Sequence, residues 1–418
     1  MDEKSKGFLK PSEVEQLMPQ EEMLESIPDE NNFSIGIPKE LSANENRVPL
    51  VPEAVKQLVD SKHNVFIEDG SGMASNFTNE SYAEAGATIV SSAEEVYKCD
   101  LISKISPPLE SEIEMLGRNK VLLSSLFLPN TRKQSYTKLM ANKSIAIAYE
   151  FIQDSSGSLP VMKSISEIVG NTSVLLASQY LRSPEHGKGK SLGGFPGISP
   201  AQVVIIGSGT VAQFAARTVL GMGAAVKIFD NSIHKLRRIQ SKLRNSIPTS
   251  TLNPEAIKHS LKEADVVIAA KFSNLGITPC LITEDMVKSM KPGSIIIDVS
   301  IDQGGCFETS KVTSHDKPIF SKHGVTHYCV PNIASCVPNT ASHSLSNIIG
   351  PILESISRYG GVDRMLKHDN GFRKGVYIYK GALTNGQIGD LTGTEGVQSA
   401  FNQLNDVDTF KDLGVDGF

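Results

Sequence analysis

Val203-Val204-Ile205-Ile206-Gly207-Ser208-Gly209-Thr210-Val211-Ala212, followed by Val226-Lys227-Ile228-Phe229-Asp230, decides how this chain is read. A short apolar run stops at a glycine turn, a helical pattern begins, and a second apolar run ends in an aspartate. Gly207 permits a tight turn out of the strand. Gly209 has no side chain, so the backbone can approach a pyrophosphate. Ala212 stands where a third glycine is usual and still lets helix and strand pack closely. An anion would sit at the helix N-terminus, where free N–H groups and the helix dipole favour negative charge. Asp230 lies 23 positions beyond Gly207, against a spacing of about 20 for an acid that bonds a ribose. A glycine pattern alone is weak. The strand before it, the helix after it and the acid at the next strand end make it specific, against the bland alternative of a glycine-rich turn in another α/β protein. Gly207, Ser208, Gly209, Thr210, Val211 and Asp230 are therefore candidate cofactor-binding residues.

The pattern continues in both directions. C-terminal to the turn, helices are expected over Thr210–Leu220 and Ile233–Leu243, and strands over Ala225–Phe229, Ala264–Ala270 and Ser294–Val299. Met286–Met290 closes a helix, and His327–Val330 is expected to be the last strand. The nearly continuous apolar runs are those of strands buried on both faces. N-terminal to the turn, strands are expected over Ser34–Pro38, Asn64–Glu68, Asp100–Ile105, Lys120–Leu128 and Ser144–Tyr149. Helical spacing lies over Pro52–Val59, Tyr82–Ala87 and Ile165–Leu181, and the glycine-rich stretch Gly187–Gly197 reads as a loop. Strands alternating with helices imply parallel sheets covered by helices. The expected class is α/β with two Rossmann-like domains, the cofactor domain being a doubly wound parallel sheet, and a ligand cleft between them. The expected boundaries are 1–32 for an N-terminal extension, 33–160 with 339–418 for a discontinuous substrate domain, and 161–338 for the nucleotide domain. Gln20–Glu25 is either a short helix packed on a partner or part of a mobile tail.

Composition narrows the function. At 418 residues the chain should hold two domains, or one large domain with an insertion. A net charge of −5 argues against broad nucleic-acid binding. No apolar run reaches the ~18–20 residues a membrane helix needs. Met1 to Glu30 is polar and acidic, without the apolar core of a secretory signal. Cys99, Cys280, Cys306, Cys329 and Cys336 form no CxxC pair and fit reduced thiols in a cytoplasm. The histidines form no metal-binding pattern, so no metal is expected.

Ligands of open α/β sheets lie beyond the carboxyl ends of the strands, which selects a few polar residues. Asp302 follows a buried apolar run directly. It is either a general acid or base with an environment-tuned pKa, or a cap or turn aspartate. Lys104 closes a strand and is either an acid toward a substrate carbonyl or a solvated strand-end lysine. Arg47, in the polar loop Asn44-Glu45-Asn46-Arg47, offers a fork to a carboxylate or forms a surface salt bridge. Asn332 either hydrogen-bonds a nicotinamide amide or ribose, or serves a turn.

Taken together, the chain resembles the alanine dehydrogenase and transhydrogenase family from Ile35 to roughly Asn347. The segments that carry the resemblance are Ile35–Glu40, Asn46-Arg47-Val48, Asp100–Lys104, Ile165-Ser166-Glu167, Gly193–Gly197, the glycine turn, Ile301–Glu308 and Cys329–Pro338. The run Asp302-Gln303-Gly304-Gly305-Cys306 is similar to alanine dehydrogenases in particular, and no Arg-Gln-Asp loop of the transhydrogenases is present. The resemblance implies that Arg47 and Lys104 bind the substrate carboxylate and its carbonyl or imine, and that Asp302 is catalytic. It implies that Asp230 and Lys235 flank the adenosine ribose, that Ser166 lies near the pyrophosphate, and that Ile333, beside Asn332, lies near the nicotinamide. NAD is the implied cofactor, alanine, pyruvate and ammonium the implied substrates, and a homo-oligomer, hexamer or dimer, the implied assembly. One position departs from the pattern. The family's catalytic histidine sits in a Leu-His-Leu context, and here that segment is Leu126-Phe127-Leu128. Reversible NAD-dependent oxidative deamination of L-alanine is thus expected. The alternatives are a dehydrogenase of another small amino or oxo acid and an NAD-binding protein with weakened catalysis.

Overall fold

In a computed structural model, the structure describes residues 32–126, 133–243, 247–271 and 278–384. The predicted helix over Gln20–Glu25, all but the last residue of the proposed extension, Phe127, and residues 385–418 lie outside them. The polypeptide forms two sheets. The first has eight strands in the order β15-β14-β6-β5-β4-β1-β2-β3. Its strands are β1 (Ser34–Ile37), β2 (Asn64–Glu68), β3 (Thr88–Val90), β4 (Leu101–Ser103), β5 (Val121–Ser124), β6 (Ile145–Ala148), β14 (Val376–Tyr379) and β15 (Ala382–Leu383). The second has seven strands in the order β12-β13-β11-β10-β7-β8-β9. These are β7 (Gln202–Ile206), β8 (Ala225–Phe229), β9 (Thr249–Ser250), β10 (Val266–Ala269), β11 (Ile295–Asp298), β12 (Ile319–Lys322) and β13 (Val325–Tyr328).

Both sheets are parallel at their centres. β1 pairs in parallel with β2 and β4, and β7 pairs in parallel with β8 and β10. In each, the chain starts at the centre, moves outward to one edge, then returns to build the other side. That order is doubly wound, and it places a crevice where the winding reverses, between β1 and β4 and between β7 and β10. The strands alternate their contacts rather than their polarity. Val203 and Ile205 join one apolar cluster with Ile295 and Ile297, while Val204, Ile206 and Ile296 join the cluster on the other face. Alternate residues of a strand point to opposite faces, so strands covered by helices on both sides must be apolar throughout.

Helices α1 (Pro52–Asp60), α2 (Asn79–Glu84), α3 (Ala93–Val96), α4 (Glu110–Met115) and α5 (Lys133–Ala141) follow strands of the first sheet. The 22-residue α6 (Pro160–Leu181) leads to the second sheet, whose helices are α7 (Thr210–Gly221), α8 (Ile233–Leu243), α9 (Pro254–Glu263) and α10 (Glu284–Lys288). Then α11 (Pro338–Arg358), α12 (Val362–His368) and α13 (Asn370–Arg373) return the chain to the first sheet. Leu345, Ile349 and Leu353 of α11 sit in the same apolar cluster as Ile35 and Ile37 of β1. Where α6 crosses α7, a side chain on Gly170 would stand 2.4 Å from the carbonyl oxygen of Val211.

Three expectations from sequence need correcting. His327–Val330 is not the last strand: β13 ends at Tyr328, and β14 and β15 follow and join the first sheet. The edges are antiparallel, with β12 against β13 and β14 against β6. The second helix begins at Asn79 rather than Tyr82, because Thr78 caps it by accepting from the Ser81 N–H at 3.2 Å. No helix among the described residues is long and apolar enough to cross a membrane.

Candidate active site at the two strand-order reversals

Arg47 and Lys104 issue from the carboxyl ends of β1 and β4, the two strands that flank the reversal in the first sheet. Arg47 is buried, and both its Nε (2.7 Å) and Nη2 (2.6 Å) donate to the Glu45 carboxylate. The salt bridge anticipated at the surface therefore exists, but inside. Burial alone would lower the guanidinium's pKa; the Glu45 charge and hydrogen bonds more than offset this and keep the arginine protonated. No protein acceptor among the described residues takes the Nη1 hydrogens.

Lys104 is not a solvated strand-end lysine. Its side chain has no exposure, and its Nζ lies 3.3 Å from Glu40 and 3.1 Å from Glu112. A buried lysine so flanked is ion-paired on two sides, which offsets the cost of taking it out of water. Glu40 also accepts from the Ile105 N–H at 2.5 Å, which ties the end of β4 to the end of β1. Burial raises the Glu40 pKa, and the Lys104 charge opposes that rise. Tyr149 closes the floor by donating to the Ile105 carbonyl at 2.6 Å.

Asp302 comes from the second unit, in the one-turn helix Val299–Gln303 that follows β11. Burial pushes its carboxyl up to about 6, against the pull of the Arg47 charge and the Asn332 N–H. The turn is clasped from below by fully buried Asp298, which accepts from the Ser300 N–H (3.1 Å), the Cys306 N–H (2.9 Å) and the Ser310 hydroxyl (2.5 Å). Asn332 adopts a left-handed backbone, φ 59°. While its own N–H serves Asp302, its side-chain amide donates to Glu45 Oε2 (2.8 Å) and the Asn44 carbonyl (3.1 Å). Asn332 thus shapes a turn, as one of its two sequence readings expects, and bridges the two units. The Asn46 N–H reaches the Ser335 hydroxyl at 2.7 Å, and the His315 N–H reaches Asn44 Oδ1 at 2.9 Å. Arg47 and Asp302 are thus linked through Glu45 and Asn332, and the Lys104–Glu40 pair lies close enough for Glu40 to feel the Glu45 charge and Arg47 to feel that of Glu40.

The glycine turn crowns the second reversal. Gly207 has φ +110°, and a side chain there would meet the Ala270 carbonyl oxygen at 2.3 Å, so this position admits only glycine. Gly209 is different: a side chain there would meet nothing within 4 Å. It precedes the 12-residue α7, whose first N–H groups receive no side-chain cap. Beside it, the Ser208 hydroxyl is buried without a hydrogen-bond partner. Open space, uncapped donors and an unpartnered hydroxyl fit a pyrophosphate. Thr210 and Val211 are the first residues of α7, and Asp230, directly after β8, is buried and accepts from the Ser232 N–H at 2.8 Å. Lys235 lies exposed on α8, Ser166 is half-buried on α6, and Ile333 is buried in the core of the second unit.

Several neighbours escaped sequence reading. Glu40, Glu45 and Glu112 had no motif of their own, although two of them lie in quoted segments. Lys271 closes the apolar run of β10 and reaches Asn231 and Asp230; the only signal was a charge at the end of a buried strand. His315 sits beside Asn44, with Nδ1 3.5 Å from Cys336 Sγ, in a stretch without periodicity. All five cysteines are free.

Two doubly wound sheets, with an uncapped glycine turn on one and a buried arginine–lysine–aspartate network between them, define a two-domain nucleotide-dependent enzyme architecture. Residues 36–169 match the alanine dehydrogenase/PNT N-terminal domain, and residues 173–386 match the alanine dehydrogenase/PNT C-terminal domain. The chain belongs to this family. It is 39% identical over 364 residues to the alanine dehydrogenase of Staphylococcus epidermidis, covering 87% of this chain and 98% of that one. It is 38% identical over 365 residues to that of Bacillus subtilis, covering 87% and 96%. A solved L-alanine dehydrogenase superposes with a TM-score of 0.80 at 33% identity, covering 86% of this chain and 99% of the other.

Proposed function

We propose that this chain interconverts L-alanine with pyruvate and ammonium, using NAD as the hydride carrier. The observation that carries the reading is the grouping of Arg47, Lys104 and Asp302 through Glu45, Glu40 and Asn332, in a chain 39% identical to an alanine dehydrogenase over 87% of its length. Arg47, held rigid by Glu45, presents its Nη1 edge to the substrate carboxylate. Lys104 directs two of its three hydrogens at Glu40 and Glu112, leaving the third for the imine nitrogen or carbonyl oxygen. Its positive charge draws the electrons of that bond toward nitrogen or oxygen and makes the carbon the electrophile for water or hydride. Asp302, titrating near neutrality, takes a proton from the water that adds to the imine and returns it to the departing ammonia. The nicotinamide, when bound, accepts or supplies the Cα hydride. Ser208, Gly209, Thr210 and Val211 would hold the pyrophosphate, Asp230 the adenosine ribose, and Ser166, Asn332 and Ile333 the remainder. The proposed domains are 33–160 with 339 onward for substrate and 161–338 for nucleotide, in a homo-oligomer.

A panel of small oxo acids with ammonium and NADH tests this. Pyruvate should give the highest kcat/KM. Preference for a bulkier oxo acid would transfer the assignment to another amino acid, and NADH binding with no reduction of any acid would leave only a binding protein.

A further inference from the structure

Asp230 is the residue that should exclude a dinucleotide carrying a 2′-phosphate, because carboxylate and phosphate repel. Its charge is not left alone. Lys271 Nζ lies 3.9 Å from Asp230 Oδ2 and 3.1 Å from Asn231 Oδ1, with the lysine side chain only 18% exposed. The lysine stands at the end of β10, the strand beside β7, so its side chain crosses above the glycine turn to reach the end of β8. Its main chain is fixed there. The Lys271 N–H donates to Ser300 Oγ at 3.0 Å, and its carbonyl accepts from the same hydroxyl at 2.8 Å. Lys235, Arg237 and Arg238 stand exposed on α8, the helix that follows Asp230.

We infer that Lys271 is a specificity-determining residue: it offsets the Asp230 carboxylate and supplies a cation at the 2′ position of the adenosine ribose, so the site accepts NADP(H) as well as NAD(H). The inference rests on the dinucleotide lying across the turn at Gly207. A 2′-phosphate carries close to two negative charges at neutral pH and pairs strongly with a partly buried ammonium. The 2′-hydroxyl of NAD needs only the Asp230 acceptor, which remains available.

Binding separates these roles without turnover. The full-length protein has no tryptophan, so reduced-nicotinamide emission reports NADH and NADPH titrations cleanly, and calorimetry follows 5′-AMP and 2′,5′-ADP. The wild type should bind NADPH within about tenfold of NADH. Lys271→Met should weaken NADPH and 2′,5′-ADP by tenfold or more while changing NADH and 5′-AMP by less than about threefold. Lys271→Arg, which keeps the charge, should retain NADPH binding, and this variant covers the case in which Lys271→Met does not fold. Three results overturn the inference. NADH binding without NADPH binding in the wild type denies the 2′-phosphate site. Equal weakening of both nucleotides in Lys271→Met places the lysine on the pyrophosphate instead. Binding of neither nucleotide removes the reading of the Gly207 turn itself.

Discussion

At the scale of single residues, Asp302 is where stability and chemistry pull apart. Unfolded, its carboxyl titrates near the ordinary 3.8; folded, burial raises it to about 6. Between those values the folded protein holds a proton that the unfolded chain has lost. Stability from this group is therefore fully present below 3.8 and is lost as pH rises through about 6. Above that, the buried anion costs the fold on the order of 1–3 kcal/mol. Asp302→Asn should raise the melting temperature at about pH 8 and leave it unchanged at about pH 4, while kcat/KM falls roughly 10²–10⁴-fold. Scanning calorimetry at the two pH values checks the first half. For the wild type, the acid limb of kcat/KM should rise with a midpoint near about 6. Phe127 gives a second prediction, from sequence alone. Phenylalanine neither donates a proton nor bonds an oxygen, so Phe127→His should raise kcat/KM for pyruvate if the family's donor is what this chain lacks. An unchanged value would count against a missing donor.

At the scale of elements, the glycine turn separates folding from binding in adjacent positions. Gly207→Ala forces a side chain onto the Ala270 carbonyl from a left-handed backbone, and should destabilise the protein by more than about 2 kcal/mol in a denaturant titration. Gly209→Ala meets no protein atom. It should cost no more than about 1.5 kcal/mol of stability, because alanine is a poorer N-cap than glycine, and weaken NADH binding by about tenfold or more, because the added methyl occupies the space a pyrophosphate needs. The central strands were legible because sheets buried on both faces demand apolar runs, and β2, β8 and α8 fall at their expected bounds. The edges were not. β12, β14 and β15 are antiparallel additions, carrying neither a glycine turn nor a long apolar run. The site was legible by residue type but not by partner. Arg47, Lys104 and Asp302 could be picked at strand ends, whereas Glu40 and Glu112 are brought to Lys104 by packing between β1, β4 and α4 that no local spacing encodes.

At the scale of the whole molecule, Lys104 and the glycine turn lie at matching places, the strand-order reversals of two similarly wound sheets. They are joined by the loop Asn44–Arg47, which hydrogen-bonds Asn332, Ser335 and His315 of the second unit. A nucleotide bound at this junction favours the folded state by mass action. At a concentration of about 100 Kd, NADH should add roughly 2.7 kcal/mol of stability, readable as a rise in melting temperature that Gly209→Ala removes. The most direct measurement of the central claim is the initial rate of NADH oxidation with pyruvate and ammonium, with the product identified by mass spectrometry. NADH consumption that requires both co-substrates and yields one L-alanine per NADH is the predicted result. NADH that binds tightly yet is not consumed with pyruvate and ammonium would contradict the assignment.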